Sequence, residues 1–189
     1  MLSGTKAWEQ FRTFKERGEW VELLFMAAAA AHGYHVLKPW GDSFEYDVAV
    51  ENRVGMLRVQ VKSSTARNGT GYLCQFRRNY LVEEPYSIDQ LDLFAMYVIP
   101  EDAWYLIPAS VILNPPRKVA VTLCPVSARR KDRYRYEKYR ESWHLLAKTP
   151  RELSRYKRWK PVANGKGTSS TRAGAIAKSR RASAPEVRA

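Results

Sequence analysis

Asp47, Gln60 and Lys62 are the residues whose types and order suggest chemistry. A carboxylate and an amide oxygen are hard donors, suited to a cation such as Mg²⁺ that keeps several of its waters. The backbone carbonyl of Val61 offers another oxygen. A lysine ammonium beside them can hold an attacking water or steady charge on a phosphate. Together, a metal and a lysine at one phosphodiester would supply a nucleophile and transition-state stabilisation. Glu19 and Glu22 stand i, i+3 on a predicted helix, so either can point at the same place. Their plainer use is as acids complementing the dipole at a helix N-terminus.

These side chains meet only if the strands that carry them pair correctly. Successive side chains of a strand point to opposite faces. In Met56–Lys62, Leu57, Val59 and Val61 share one face, and Arg58, Gln60 and Lys62 share the other. In Glu45–Val50, Tyr46, Val48 and Val50 share one face, and Glu45 and Asp47 the other. The short, turn-like segment between them predicts an antiparallel hairpin. Setting Asp47 opposite Gln60 puts Val48 opposite Val59 and Val50 opposite Leu57. Apolar then meets apolar and polar meets polar, and a one-residue slip breaks both matches. The alternative is an ordinary solvated sheet face.

Around this hairpin the pattern predicts an α/β (α+β) domain. Trp8, Phe11 and Phe14 predict a helix over 5–17, ended by Gly18. A second helix is predicted from Glu19 to Ala31, with Leu23, Leu24, Ala27 and Ala31 as its buried stripe and Gly33 at its C-terminus. Strands are predicted at 34–38, 45–51, 56–63, 71–77, 93–99, 103–107 and 118–123, each rich in β-branched and aromatic residues. Residues 132–147 predict a return to helix, with Tyr136, Tyr139, Trp143 and Leu146 on one side. Helix, mixed sheet, helix is the expected order.

The chain has 189 residues, enough for one domain with a full core and a tail. Its 45% hydrophobic content argues for a folded body. Cys74 and Cys124 lie in no metal-binding or disulfide pattern, and no apolar run is long enough to span a membrane. A cytoplasmic setting is expected. Net charge is +13, of which +9 falls in 151–189. That excess suggests a polyanion such as nucleic acid, or simply a soluble terminus. Residues 161–189 lack large apolar side chains and are expected to be disordered.

The ordered set of motifs resembles the PD-(D/E)XK nuclease superfamily, closest to its branch of group I intron-associated homing endonucleases. The matching pieces are Gly18–Leu23, Lys38–Asp42, Tyr46-Asp47, Arg58–Ser64, Asp92–Tyr97 and Trp104–Pro108. The resemblance implies a restriction-endonuclease-like mixed β-sheet flanked by helices over residues 1–150, followed by a basic tail over 151–189. It implies a DNA endonuclease using Mg²⁺ or Mn²⁺, acting as a dimer or tetramer. Carried over, Asp47, Gln60 and Val61 hold the metal, Lys62 is the catalytic lysine, and Glu22 rather than Glu19 is the helix acid. Gln60 stands where many relatives carry an acid, but the homing branch shares it.

Arg58, Ser63, Tyr72, Arg77, Arg78, Arg129, Arg130 and Lys131 are candidates for DNA contact, with surface charge as the alternative. Asp42 suits a turn, and Asp92 a packing or capping role. A junction resolvase would use identical chemistry. A binding module that has lost its metal is a rival that Gln60 favours.

Overall fold

The computed structural model describes residues 7–41, 43–76, 86–114, 120–125 and 135–157. All lie within the compact unit Met1–Trp159. Asp42, Arg77, Arg78, Arg129, Arg130, Lys131 and the expected disordered segment 161–189 fall outside the described residues.

A 3-10 helix, Ala7–Gln10, precedes α1, Phe14–Ala31. The strands follow as β1 His35–Leu37, β2 Val48–Asn52, β3 Gly55–Ser64, β4 Arg67–Asn68, β5 Gly71–Gln75, β6 Leu93–Val98, β7 Ala103–Pro108 and β8 Ala120–Leu123. Two short helices, α2 Ala109–Leu113 and α3 Pro150–Ser154, complete the regular elements with 3-10 turns between them. A five-stranded sheet runs β1-β2-β3-β6-β7, and a smaller one runs β4-β5-β8. In the large sheet β3 and β6 are parallel and the other pairs antiparallel, which is the expected mixed sheet.

The hairpin has the register its pattern predicts. Val48 pairs with Val59 and Val50 with Leu57, and the Asp47 N–H donates to the Val59 carbonyl at 3.0 Å. Asn52 sets the turn by accepting the Val54 N–H at 2.9 Å. Val48, Val50, Leu57, Val59 and Val61 join one buried cluster with Val21, Phe25 and Ala29 of α1. β6, an inner strand, and β7, at the edge of the sheet and bridged to Arg140, are both buried throughout.

A parallel pair cannot be set by a hairpin, and side-chain bonds secure β3 on β6. Asp92, beside the start of β6, accepts from the Arg58 N–H at 2.8 Å, from Nε at 3.0 Å and from Nη2 at 3.1 Å. Arg58 Nη1 also donates to the Asp89 carbonyl at 2.5 Å. Arg58, its side chain 29% exposed, is engaged in this internal clamp.

Helix α1 departs from expectation in two ways. It runs unbroken through Gly18 because a capping box, Thr13 with Glu16, starts it upstream. One interior glycine costs about 1 kcal/mol against alanine, too little to stop a capped helix. Its buried stripe is Val21, Phe25 and Ala29, while Leu23 is 60% exposed. The run 23–31 is apolar all round, so periodicity could not select the face. Phe25 selects it, with ring centroids 5.6 Å from Trp104 and 6.0 Å from Trp143. The end is as predicted: Gly33 has φ +85°, and the N–H groups of Gly33 and Tyr34 donate to Ala30 and Ala29 in a Schellman pattern.

The expected helix over 132–147 is instead two 3-10 turns, Glu137–Tyr139 and Trp143–Ala147, within its described part. Tertiary pairing overrides helical spacing here. The Trp104 N–H donates to Glu141 Oε1 at 2.7 Å, the Glu141 N–H donates to the Trp104 carbonyl at 2.9 Å, and Arg140 bridges to Tyr105. Tyr136, Tyr139, Trp143 and Leu146 are all buried nonetheless.

Two glycine substitutions test these assignments with opposite signs. A Cβ at Gly18 meets nothing within 4 Å, so Gly18→Ala should raise unfolding free energy by about 0.5–1 kcal/mol in urea titration. A Cβ at Gly71 would lie 2.5 Å from the Leu123 carbonyl oxygen, so Gly71→Ala should destabilise the β5–β8 pair. A destabilised Gly18→Ala would mean that the helix breaks there.

Candidate active site

Asp47 ends the loop that leads into β2, and its carboxylate turns back across the hairpin. Its Oδ2 accepts the Val61 N–H at 2.8 Å and an N–H from the Gln60 amide. Gln60 is only 5% exposed, so this is no solvated sheet face. The face is roofed. Phe94, opposite Gln60 on β6, packs on Phe76 at 4.9 Å and on Tyr86 at 5.6 Å. Under that roof the Lys62 ammonium lies 5.3 Å from the Tyr86 ring centroid.

Glu22 reaches the same place from α1. Its side chain is 18% exposed, and its Oε2 accepts from Lys38 Nζ. Glu19 is 58% exposed, with Lys15 4.0 Å away. A cleft of about 680 Å³ joins these elements, its lining including Glu19, Glu22, Lys38, Tyr46 and Asp47.

The electrostatics follow from burial. Burial and the Glu22 charge raise the Asp47 carboxyl from 3.8 to about 6, while Lys62, the Val61 N–H and Lys38 act to lower it. Burial also acts to lower Lys62, but the Tyr86 phenol and the Asp47 carboxylate more than offset it and leave its pKa above the ordinary value. The Asp47 carboxylate beside it favours the ammonium form. The Glu22 hydrogen bond holds Lys38 above its ordinary value as well.

The hairpin and α1 thus bring Asp47, Gln60, Val61, Lys62 and Glu22 together, as the sequence motifs predict. Among the described residues no group of three or more His, Cys, Asp or Glu could hold a metal ion. The oxygen donors here are two carboxylates and a neutral amide. In this conformation Gln60 presents its NH₂ to Asp47 and the Val61 N–H is spent on the same oxygen.

The chain matches the PD-(D/E)XK endonuclease family over residues 13–146. It belongs to that family. Among solved structures it is similar to the bacterial homing endonuclease I-Ssp6803I, at 30% identity and a TM-score of 0.63, over 71% of this chain and 93% of that one. No curated protein matches it.

Within this PD-(D/E)XK protein, not every expected DNA contact faces outward. Tyr72 is buried on β5, and its hydroxyl donates to Glu101 at 2.6 Å. Ser63 is half-buried beside Lys62. Two residues were missed. Lys38 lay inside a motif block but was assigned no task. Tyr86 sits in no pattern that marks it, and only the folded chain brings it over Lys62.

Ionised Asp47 should cost folding free energy. A carboxyl raised in the folded state binds its proton more tightly there than in the unfolded chain. The cost is thus absent below about pH 4, grows as pH rises through about 6, and is full above that. Asp47→Asn should therefore stabilise the protein in EDTA at pH 7.5 by roughly 1–3 kcal/mol. The gain should vanish near pH 4 in urea titrations. A loss of stability at pH 7.5 would show that the carboxylate is well satisfied as it stands.

Proposed function

We propose that this protein is a metal-dependent DNA endonuclease that hydrolyses phosphodiester bonds. The observation that carries the proposal is Asp47, Gln60 and Lys62 on one roofed face with Glu22 opposite, in a family of endonucleases. The donors fit a hard divalent cation. They are oxygens, and the Asp47 carboxylate is crowded by Glu22 in a way that a bound cation would relieve.

Asp47 and Glu22 would hold Mg²⁺ or Mn²⁺, with the Gln60 amide turned over to present its oxygen and the Val61 carbonyl beside it. The bound cation supplies Lewis-acid stabilisation and an acidified water. Lys62 acts as a positioned charge. As a raised lysine it keeps its protons, so it donates hydrogen bonds to the attacking water or to a non-bridging phosphate oxygen. Tyr86 holds the ammonium at the end of its stem. Gln60 is buried and Lys62 half-buried, and this partial removal from water strengthens each of these interactions.

DNA is the proposed substrate, with two or more copies of the chain acting together because a duplex has two strands to cut. The likeness to a homing endonuclease favours linear duplex over branched DNA.

Strand scission of supercoiled plasmid and of a four-way junction, with Mg²⁺ or Mn²⁺, tests the proposal. Wild type should cut, EDTA should abolish cutting, and Lys62→Ala should lower the rate by about 10²-fold or more. Preference for the junction would reassign the protein as a resolvase. Undiminished cutting by Lys62→Ala would place the chemistry elsewhere.

A further inference from the structure

Two lysines of the cleft lining, Lys15 and Lys38, have no part in the proposed chemistry, and of these Lys38 is the one that engages Glu22. It follows β1 at the start of the turn that Pro39 and Gly41 shape, Gly41 having φ +78°. Its ammonium donates to Glu22, and the charges of Asp47 and Glu19 also act on it. Two carboxylates, Glu22 and Asp47, thus stand with two ammoniums, Lys38 and Lys62. The site is electrically balanced before any divalent cation arrives.

That balance is self-limiting. A divalent cation bound by the Glu22 carboxylate stands close to the Lys38 ammonium that the same carboxylate holds, and their like charges weaken that ion pair. The site then carries a net excess of positive charge that an anion would neutralise. Lys38 is suited to meet that anion. Its side chain is 51% exposed on the cleft lining and its four-carbon stem is flexible, whereas Lys62 is enclosed beneath Tyr86.

We propose that Lys38 is a phosphate-binding residue held in reserve by Glu22, released to the DNA backbone when Glu22 takes up a divalent cation. Resting on the nuclease function proposed above, this gives the ion and the phosphate a mutual dependence: each improves the site for the other, by the same factor in both directions.

Two measurements on Lys38→Met test it. Titration calorimetry with Mn²⁺ and no DNA should show tighter ion binding than wild type, by about twofold to fivefold, the range of a partly exposed ion pair. Glu22→Gln with Lys38→Met should bind no tighter than Glu22→Gln alone. Fluorescence anisotropy with a short duplex and non-cleaving Ca²⁺ should show weaker binding, with a salt slope shallower by about 0.9. In EDTA the two slopes should coincide, and Lys38→Arg should retain the Ca²⁺-dependent slope. Unchanged or weaker Mn²⁺ binding by Lys38→Met, or a slope difference that persists in EDTA, would overturn the proposal for Lys38 while leaving the nuclease intact. Failure of wild type to bind Mn²⁺ or cut DNA would overturn both.

Discussion

One hydrogen bond organises this site. The Asp47 N–H donates to the Val59 carbonyl at 3.0 Å, at the point where β2 joins β3. It fixes the chain just ahead of Val48, where the ladder ends, and so holds the Asp47 carboxylate against the Gln60 amide and the Val61 N–H. Shift the pairing by one residue and Val48 and Val50 would leave the core as Asp47 entered it. The hydrophobic pattern and the site are therefore set by the same constraint. The Arg58–Asp92 clamp then locks β3 to β6, so that Phe94 comes to lie opposite Gln60 and supports the roof.

The site stores a cost. A carboxylate largely out of water, close to a second acid, is held near its titration midpoint at mildly acidic pH. The buried Gln60 amide and the Val61 N–H offset part of that cost, and the lysines offset more. This is a stability–function conflict of the ordinary kind, with the strain placed where a cation would relieve it. A neutral amide in place of a third acid reduces the repulsion. It also makes the cation's hold depend more on Glu22.

The strands were legible because period-2 alternation with flanking turn residues is a local signal. Among the described residues each of the seven predicted strands has a counterpart, and the two-residue β4 was missed. The hairpin register was legible because two faces had to match at once. The buried face of α1 was not, because Leu23–Ala31 is apolar all round and the choice belongs to Phe25 and its tryptophan neighbours. The segment carrying Tyr136, Tyr139, Trp143 and Leu146 showed its burial but not its backbone, since strand-like bonds to Trp104 decide the latter. The Glu22–Lys38 pair and the Tyr86 roof depend on loops meeting across the fold, and no spacing rule records such meetings.

The central claim is that hairpin and helix together build one divalent-cation site. Crystals soaked in Mn²⁺ and measured at an anomalous wavelength would test it most directly. The expected result is one strong peak about 2.1 Å from oxygens of Asp47 and Glu22, with the Gln60 amide turned to face it. A peak bound by other residues, or none at these carboxylates at saturating Mn²⁺, would contradict the account.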